Sequence, residues 1–319
     1  MNNSVSVTSH IAASLPAAVQ ISGNTECRRC GDDRPLATNP YRHAQILFSK
    51  ALPDRQLSVD CITMTTGEDR GGVLLSGLAM LECLGESGPQ GVTQLANAIG
   101  IDKGNAHRIA KVLINQGFMD QDVATKHYRL APRTIQLAGQ ALRQLDVRQA
   151  ADDVLARLAA ETGESTHLAV RTPDGGVYVA QVKAGNRLSV ETEIGSSPII
   201  HATATGKALY AGAEPGELEL VAPEPLAKFT STTITDRSVL DADLATVRSR
   251  GYAVDDEELN PDIRCAAAPV TGAGGKTVAA IGISGPVSRV DQQRLHDLGV
   301  RLRIAAAEIS ARLSWHQPA

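Results

Sequence analysis

The sequence VTQLANAIGIDKGNAHRIAKVLINQG, residues 92–117, decides the fold of the N-terminal part of the chain. It predicts two helices joined by a tight turn. Thr93 is the predicted N-cap of the first helix, and Gly100 stands where the end of a helix favours a left-handed residue. Asp102 is the predicted N-cap of the second helix, because its carboxylate can accept hydrogen bonds from free backbone N–H groups. This pattern is typical of a helix-turn-helix.

The second helix has two chemically different faces. Its apolar residues recur at i, i+3, i+4 and i+7 and predict a buried stripe, formed by Ala106, Ile109, Ala110 and Leu113. The opposite face carries donors that can reach phosphates and base edges in a major groove, namely Lys103, Gly104, Asn105, His107, Arg108 and Lys111. An ordinary helical hairpin with a solvated polar face accounts for the same pattern.

The residues that follow favour DNA binding. Phe118 and Met119 begin a predicted strand, residues 121–125 can turn, and residues 126–130 alternate polar and apolar side chains. A hairpin directly after a recognition helix is the wing of a winged helix. We expect its polar side chains to touch backbone phosphates. The wing residues predicted to contact DNA are Lys126, His127 and Arg129. Thr93, at the start of the first helix, is a further predicted DNA contact.

Length and charge limit the class of protein. A chain of 319 residues is long enough for two domains, and its formal net charge of -4 argues against a bulk electrostatic nucleic-acid binder. A sequence-specific regulator needs only a local basic face. No apolar run approaches the roughly 20 residues of a membrane span, and the polar N-terminus lacks the apolar region of a signal peptide. We expect a cytoplasmic protein without a membrane partner.

Residues 1–70 differ from the rest of the chain. They are rich in Ser, Asn, Pro and Arg and predict a disordered extension. Our hypothesis is that Met64 is the true start. Cys27 and Cys30 form a CxxC without a second pair, and one such pair cannot close a tetrahedral zinc shell. The five cysteines are scattered, so we predict neither a disulfide framework nor a metal site.

The remaining chain predicts an α+β protein. A helix over 73–85, with an apolar face that includes Val73, Leu74 and Leu78, opens a DNA-binding domain spanning 71–131. Pro132 suits the first turn of a linker helix that runs towards Arg148, covers 132–150 and is a natural dimerisation element. From about residue 151 to 315, helices flank a mostly antiparallel set of strands, which is typical of a GAF/PAS-like α/β effector-binding domain.

Several blocks of sequence together resemble one known family. They are DKGNAHR (residues 102–108), GSSPIIHATATGKA (195–208), TITD (233–236), RGYAVDDEE (250–258), RCAAAPV (264–270) and ISGP (283–286). In this order and spacing they resemble the IclR family of bacterial transcriptional regulators over about residues 70–315.

The resemblance implies a sequence-specific regulator, by family tendency a repressor, that binds double-stranded operator DNA as a homodimer or a dimer of dimers. We expect no cofactor. It also implies that the C-terminal domain binds a small effector, often an organic or aromatic carboxylate. The implied effector residues are Thr203, Ala204, Thr205, Asp255, Cys265, Gly282 and Ser284. Family members often have Ser-Gly where Thr203-Ala204 stand, and Ser where Gly282 stands.

The chemistry of these residues suggests how an anion would bind. Backbone N–H groups after Thr203 and the hydroxyls of Thr203, Thr205 and Ser284 are candidate donors. We expect Asp255 to accept from a ligand hydroxyl or a water, and Cys265 to form a soft wall. His201 is expected to hold the loop before Thr203, and Lys207 to face solvent or a partner subunit.

Two other classes of function stay open. Nucleophile and base types occur among the pocket residues, but the chain has no G-x-S-x-G elbow, no paired metal-ligand motif and no P-loop. We therefore expect no catalytic residues and no enzyme activity. A redox or metal sensor would use Cys27, Cys30 and Cys265.

Overall fold

The computed structural model describes residues 45–47, 72–186, 189–214 and 216–315. Cys27, Cys30, Met64 and the rest of the extension predicted over 1–70 lie outside these ranges. The exception is strand β1, Gln45–Leu47, which pairs in parallel with the later strand Ser189–Glu191. The expectation that the extension over 1–70 is mostly disordered stays a prediction.

The first described domain is a winged helix. Its elements are α1 (Gly72–Ser87), α2 (Val92–Ala98), α3 (Lys103–Asn115), β2 (Met119–Gln121) and β3 (Tyr128–Leu130). Strands β2 and β3 pair antiparallel. Met80, Leu95, Ala106, Met119 and Tyr128 belong to one hydrophobic core. The helix-turn-helix and the wing predicted from the sequence are both present.

The ends of the two helices follow the predicted chemistry only in part. Gly100 has a φ of +71°, and the Asp102 carboxylate accepts a hydrogen bond from the Asn105 N–H. Thr93, however, is not the N-cap of α2, because the helix begins at Val92 and Gly91 is its N-cap. The Gln94 side chain reaches back to accept the Gly91 N–H at 2.9 Å, half of a capping box, and leaves Thr93 exposed on the first turn.

Helix α1 buries a narrower face than predicted. Gly77 faces Ile109 of α3, where a Cβ would lie 3.7 Å from Ile109 Cγ2, so the small residue permits a close helix contact. The predicted face also included Val73, Leu74 and Leu78, which remain 59 %, 67 % and 49 % exposed. The first buried residue of α1 is Ser76, because the first turn precedes the part of the helix that meets the core.

The predicted linker helix is interrupted. Helix α4 spans Pro132–Arg143, and α5 spans Asp146–Thr162. The intervening Leu145 has extended backbone and packs against the core of the next domain, so the continuous helix predicted towards Arg148 is wrong. None of the residues of α4 is buried, and α5 ends at Gly163, which has the left-handed conformation.

The second domain is built on one five-stranded sheet. Its strands are β4 (Ser165–Thr172), β5 (Gly175–Val182), β7 (Ala253–Asp256), β8 (Ile263–Thr271) and β9 (Thr277–Pro286), while β6 (Ser189–Glu191) pairs with β1. The order β5-β4-β9-β8-β7 is antiparallel throughout. The helices that follow β6 are α6 (Ala204–Tyr210), α7 (Glu217–Val221), α8 (Arg237–Arg250) and α9 (Gln292–Trp315). The predicted α+β class is confirmed.

The sheet separates two apolar layers. On one face Leu155 of α5 and Leu302 of α9 pack against Ile281. On the other face Leu209 of α6 and Leu240 of α8 share a cluster with sheet residues. Because side chains alternate along a strand, every second residue of β4, β8 and β9 points towards α6. This second face also carries the residues that the family resemblance implies for effector binding.

Candidate nucleic-acid interface and effector pocket

The polar face of α3 is exposed as predicted. Ala106, Ile109 and Ala110 are buried and Leu113 is half-buried, which places the hydrophobic stripe against the domain core. The residues predicted to contact DNA from this helix are all exposed: Lys103, Gly104, Asn105, His107, Arg108 and Lys111. The helix therefore presents donors outward along its length.

A side-chain ladder runs along this face. Both the backbone N–H and the side-chain amide of Asn105 donate to the Asp102 carboxylate, the backbone bond being 3.0 Å long. The Asn105 N–H holds the pKa of Asp102 below its usual value. Arg108 Nη2 donates to Asn105 Oδ1 at 2.8 Å. Both ends of the Asn105 amide are occupied, so a bidentate contact with adenine would require these bonds to break, whereas Arg108 retains further N–H groups.

The predicted DNA-contacting residues of the wing differ in the side-chain bonds that they make within the protein. Lys126 and His127 are exposed and precede β3, and Lys126 has a φ of +60° in the turn. The strand predicted over 126–130 is therefore shorter than expected. Arg129 forms a salt bridge of 2.7 Å with Asp120, the residue opposite it in the hairpin, and this bond lowers the pKa of Asp120. The sequence analysis missed this cross-strand partner, which offsets part of the charge of Arg129.

One hydrogen bond ties the recognition helix to the wing. His107 Nδ1 lies 3.1 Å from the hydroxyl of Tyr128, which is buried in the domain core. Beside this bond is a groove of about 400 Å³. Thr93, His107, Lys126 and His127 are among its lining residues, so α2, α3 and the wing meet at one surface.

The register of the sheet brings the implied effector residues together. Asp255 pairs with Cys265, and Cys265 pairs with Ser284, so these three form a row across β7, β8 and β9. Gly282 lies two residues before Ser284 and on the same face. Helix α6, with Thr203 as its N-cap, packs over these strands. The non-glycine members of the set are all buried: Thr203, Ala204, Thr205, Asp255, Cys265 and Ser284.

The start of α6, which the sequence analysis predicted as an anion site, uses part of its hydrogen-bonding capacity within the helix. Thr203 Oγ1 accepts the Gly206 N–H at 2.9 Å and donates to the Ile199 carbonyl at 2.8 Å. An N–H group counted as a ligand donor is thus satisfied by the helix's own cap. A loop-holding role for His201 agrees with its bond of 2.8 Å to the Ala227 carbonyl.

The structure adds two aromatic residues that the sequence analysis missed. His167 of β4 lies on the α6 side of the sheet, and its Nε2 is 2.8 Å from Thr205 Oγ1. Burial lowers the pKa of His167 to about 4, so the ring is neutral near pH 7. Tyr178 meets His167 edge-on, with ring centroids 5.4 Å apart. The alternation of β4 was the available signal, because His167 and Ala169 share one face.

Two buried acidic groups in this cluster have raised pKa values, which favours their neutral forms. Burial, reinforced by Glu258, raises the pKa of Asp255 to about 7, although its Oδ1 accepts the Glu258 N–H at 2.7 Å. Burial also raises the pKa of the Cys265 thiol well above its usual value. At neutral pH the pocket therefore contains a partly protonated carboxyl group and a neutral thiol.

Lys207 is buried, contrary to the prediction that it faces solvent or a partner subunit. It is 1 % exposed. Its Nζ lies 2.7 Å from Glu258 Oε1 and 2.9 Å from Asp243 Oδ2. The carboxylates belong to α8 and to the segment after β7, which lie far from Lys207 along the chain. No local sequence pattern therefore predicted that they would pair with Lys207. The charge of Lys207 is thus compensated by protein groups.

The second domain also has a groove, which lies away from the implied effector residues. It has a volume of about 360 Å³ and is lined by Tyr210, Leu218, Arg237, Leu244 and Arg248, among others. None of the implied effector residues lines it. Across the described ranges, no group of three or more His, Cys, Asp or Glu side chains is arranged to hold a metal ion. No helix in those ranges is both long and apolar enough to cross a bilayer.

Comparison with known proteins agrees with this architecture. Residues 73–123 match the family model of the IclR helix-turn-helix domain, and residues 139–311 match that of the bacterial transcriptional regulator IclR C-terminal domain. The chain belongs to the IclR family. It is therefore a helix-turn-helix DNA-binding transcriptional regulator, and effector binding is typical of its C-terminal domain.

Individual IclR relatives cover most of this chain. The HTH-type regulator BhcR of Paracoccus denitrificans is 31% identical over 246 residues, 76% of this chain and 88% of its own length. The transcriptional repressor IclR of Escherichia coli is 30% identical over 74% of this chain and 88% of its own. The crystal structure of an IclR regulator from Alicyclobacillus acidocaldarius superposes with a TM-score of 0.68 at 25% identity, covering 76% of this chain and 98% of its own.

Proposed function

We propose that this IclR-family protein is a cytoplasmic repressor whose operator affinity is controlled by a small organic carboxylate. The DNA-binding domain would span 71–131, the linker 132–150 and the effector domain 151–315. One observation supports the DNA-binding part most strongly: α3 buries its apolar stripe and presents Lys103, Arg108 and Lys111 outward. Such a helix can enter a major groove without disturbing the domain core.

The buried cluster under α6 supports ligand binding rather than catalysis. A nucleophile needs activation by a base or a lowered pKa, whereas the pKa of Cys265 is raised. A neutral buried thiol is also a poor redox sensor. The hydroxyls of Thr205 and Ser284 and the partly protonated Asp255 are suitable for holding a polar ligand.

Exposed apolar side chains support a dimeric assembly. In α1 they include Val73, Leu74 and Leu78, and in α4 they are Ile135 and Leu137, which are 74 % and 55 % exposed. We propose that these helices pair two copies of the chain, and that dimers associate further into a dimer of dimers. A symmetric dimer would bind two half-sites separated by about one turn of DNA. Ile135→Glu is expected to shift the sedimentation coefficient towards that of the monomer.

The test is a titration of the full chain with a labelled duplex from the region upstream of its own gene. A scrambled duplex of equal length is the control, at physiological salt. Specific binders are typically about 10³-fold tighter for the real site, and a gap of this size supports the proposal. Equal, salt-sensitive binding to both duplexes, or no binding, would reject that upstream region as its operator. Sedimentation of the protein–duplex complex then reports its stoichiometry.

A further inference from the structure

The groove of about 360 Å³ in the second domain, called the α8 groove, has helix α8 as one wall. Four of its lining residues stand at i, i+4, i+7 and i+11 and so form one stripe along the helix: Arg237, Asp241, Leu244 and Arg248. At 1.5 Å per residue, the two arginines are separated by about 16 Å along the helix axis. The stripe therefore carries a cation at each end, with an acidic and an apolar side chain between them.

The opposite wall is the segment that runs from the end of α6 into α7. The two arginines of α8 hold this segment in place. Arg248 Nη1 donates to the carbonyl of Ala211 at 2.7 Å, and Arg237 Nη2 donates to the carbonyl of Ala222. Ala211 and Ala222 are the C-caps of α6 and α7, where carbonyl groups lack partners within their own helix. The two walls are therefore fixed against each other by the protein itself.

The charged groups of the α8 groove lack partners of opposite charge. Across the described ranges, no salt bridge joins Arg237 or Arg248 to a carboxylate, and none joins a cation to the carboxylates that also line the groove, those of Glu214, Glu219 and Asp241. Arg237 Nη1 is also buried, and no acceptor in the same ranges reaches it. A buried donor without an acceptor is unfavourable and calls for an explanation.

Two of these charges indicate the kind of ligand. Arg237 and Asp241 are one turn apart on α8, a spacing that places Cβ atoms about 5–6 Å apart and commonly produces a salt bridge. They do not pair, because the Arg237 guanidinium is directed to the Ala222 carbonyl. With three carboxylates and two guanidinium groups along the groove, a simple anion would meet net repulsion. A ligand that carries both charges on neighbouring atoms would satisfy Arg237 and Asp241 together.

The remaining lining residues provide an apolar surface. Tyr210 and Leu244 are 2 % and 3 % exposed, and Ala213 and Leu218 are half-buried. The volume of about 360 Å³ is within the range of roughly 300–1,000 Å³ that is typical of small-molecule sites. A ligand whose charged end lies beside Arg237 could therefore place an apolar side chain along the same groove.

We propose that the α8 groove is a second ligand site of this domain and binds a free α-amino acid with an apolar side chain. Arg237 donates to the carboxylate of the amino acid, and Asp241 accepts from its ammonium group. The side chain packs against Leu218 and Leu244. None of the implied effector residues lines the groove, so this inference is independent of the carboxylate effector proposed above.

Methyl NMR spectra of the leucine-labelled full chain test the site with L-leucine and L-phenylalanine as probes at tens of millimolar. At least one of them is expected to shift the methyl resonances of Leu218 and Leu244. Leu155, on the other face of the sheet, should not respond. The N-acetyl derivative lacks the ammonium group and the amide derivative lacks the carboxylate, so each should bind at least fivefold more weakly. A response to neither amino acid, or equal binding of the derivatives, overturns the proposal.

A charge reversal at Asp241 tests the orientation of the ligand. Asp241 is exposed, so Asp241→Lys should leave the fold intact. It is expected to raise Kd for the amino acid at least tenfold, because the new ammonium group repels that of the ligand. The N-acetyl derivative is an anion and should bind the same variant no more weakly than the wild-type protein. The control is Asp297→Lys, which makes the same charge change on the exposed surface of α9. Equal effects of the two substitutions on amino-acid binding would reject Asp241 as the partner of the ammonium group and overturn the proposal.

Discussion

The imidazole of His167 occupies the space that a side chain at Gly282 would need. A Cβ there would lie 2.2 Å from Nε2 and 2.8 Å from Cε1, well inside van der Waals contact. The two residues also pair directly between β4 and β9, so neither can move away without disturbing the sheet. The identity of one residue therefore restricts the identity of the other.

Gly282→Ser is expected to destabilise the protein by about 1–3 kcal/mol, because the added atoms displace the ring and break its bond to Thr205. Urea unfolding of the full chain measures the change. In the double variant that combines Gly282→Ser with His167→Ala, the loss of unfolding free energy should be smaller than the sum of the two single losses by about 0.5–3 kcal/mol. Gly185→Ser is the matched control, since a Cβ there meets nothing within 4 Å. Additive costs would contradict the steric coupling.

Lys207→Met is expected to cost about 3–5 kcal/mol of unfolding free energy, because it leaves Glu258 and Asp243 without their cation in a largely buried site. Lys183→Met is the control. Lys183 pairs with Glu191 on the surface, where loss of a salt bridge costs about 0–1 kcal/mol. If the two substitutions lowered the unfolding midpoint equally, the buried cluster would not have the stabilising role assigned to it.

The stability of the effector domain should depend on pH through Asp255. Its pKa is about 7 in the folded protein, against an ordinary value of 3.8. The folded state therefore binds more protons between about pH 4 and 7, and this contribution to stability is lost as pH rises through that window. Relative to Asp255→Asn, the wild-type protein should lose up to about 1.4 kcal/mol per pH unit there. A difference that is independent of pH would contradict the raised pKa.

His167 should make the stability of the protein depend on pH in the opposite direction. Its pKa is about 4 in the folded protein, against an ordinary value of 6.5, so stability is lost as pH falls from about 6.5 to 4. Over this range the contributions of His167 and Asp255 offset each other. Urea unfolding of His167→Gln should therefore reveal stability that falls as pH rises, and Asp255→Asn should reveal stability that rises with pH. The same slope in both variants would disprove the assignment.

Arg108→Ala is expected to weaken operator binding by about 1–3 kcal/mol and to relax base preference, because the free N–H groups of Arg108 lie on the outer face of α3. Lys126→Ala should weaken binding to all sequences alike and reduce the salt slope by about 1. Duplex titrations at several salt concentrations measure both effects. Lys228→Ala, a lysine of the effector domain away from α3 and the wing, should change neither. If Arg108→Ala bound the operator as tightly as wild type, α3 would not read DNA through this residue.

Local patterns of sequence were sufficient for much of the fold. Gly100 and Asp102 end and begin helices through their own backbone preference and side-chain reach, and the stripe from Ala106 to Ala110 repeats within a few residues. Leu145 shows the limit of such patterns. The periodicity continued past it, but its contact with the second domain bends the chain between α4 and α5.

The sequence by itself determined the helix-turn-helix, the wing, the α+β class and the set of residues that meet under α6, because each depends on neighbours in the chain or on a family pattern. Tertiary structure alone decided that Lys207 is buried against Glu258, 51 residues away, and that His167 meets Thr205, 38 residues away. The burial of a polar side chain depends on partners that satisfy its charge or hydrogen bonds, and only the folded sheet brings those partners within reach.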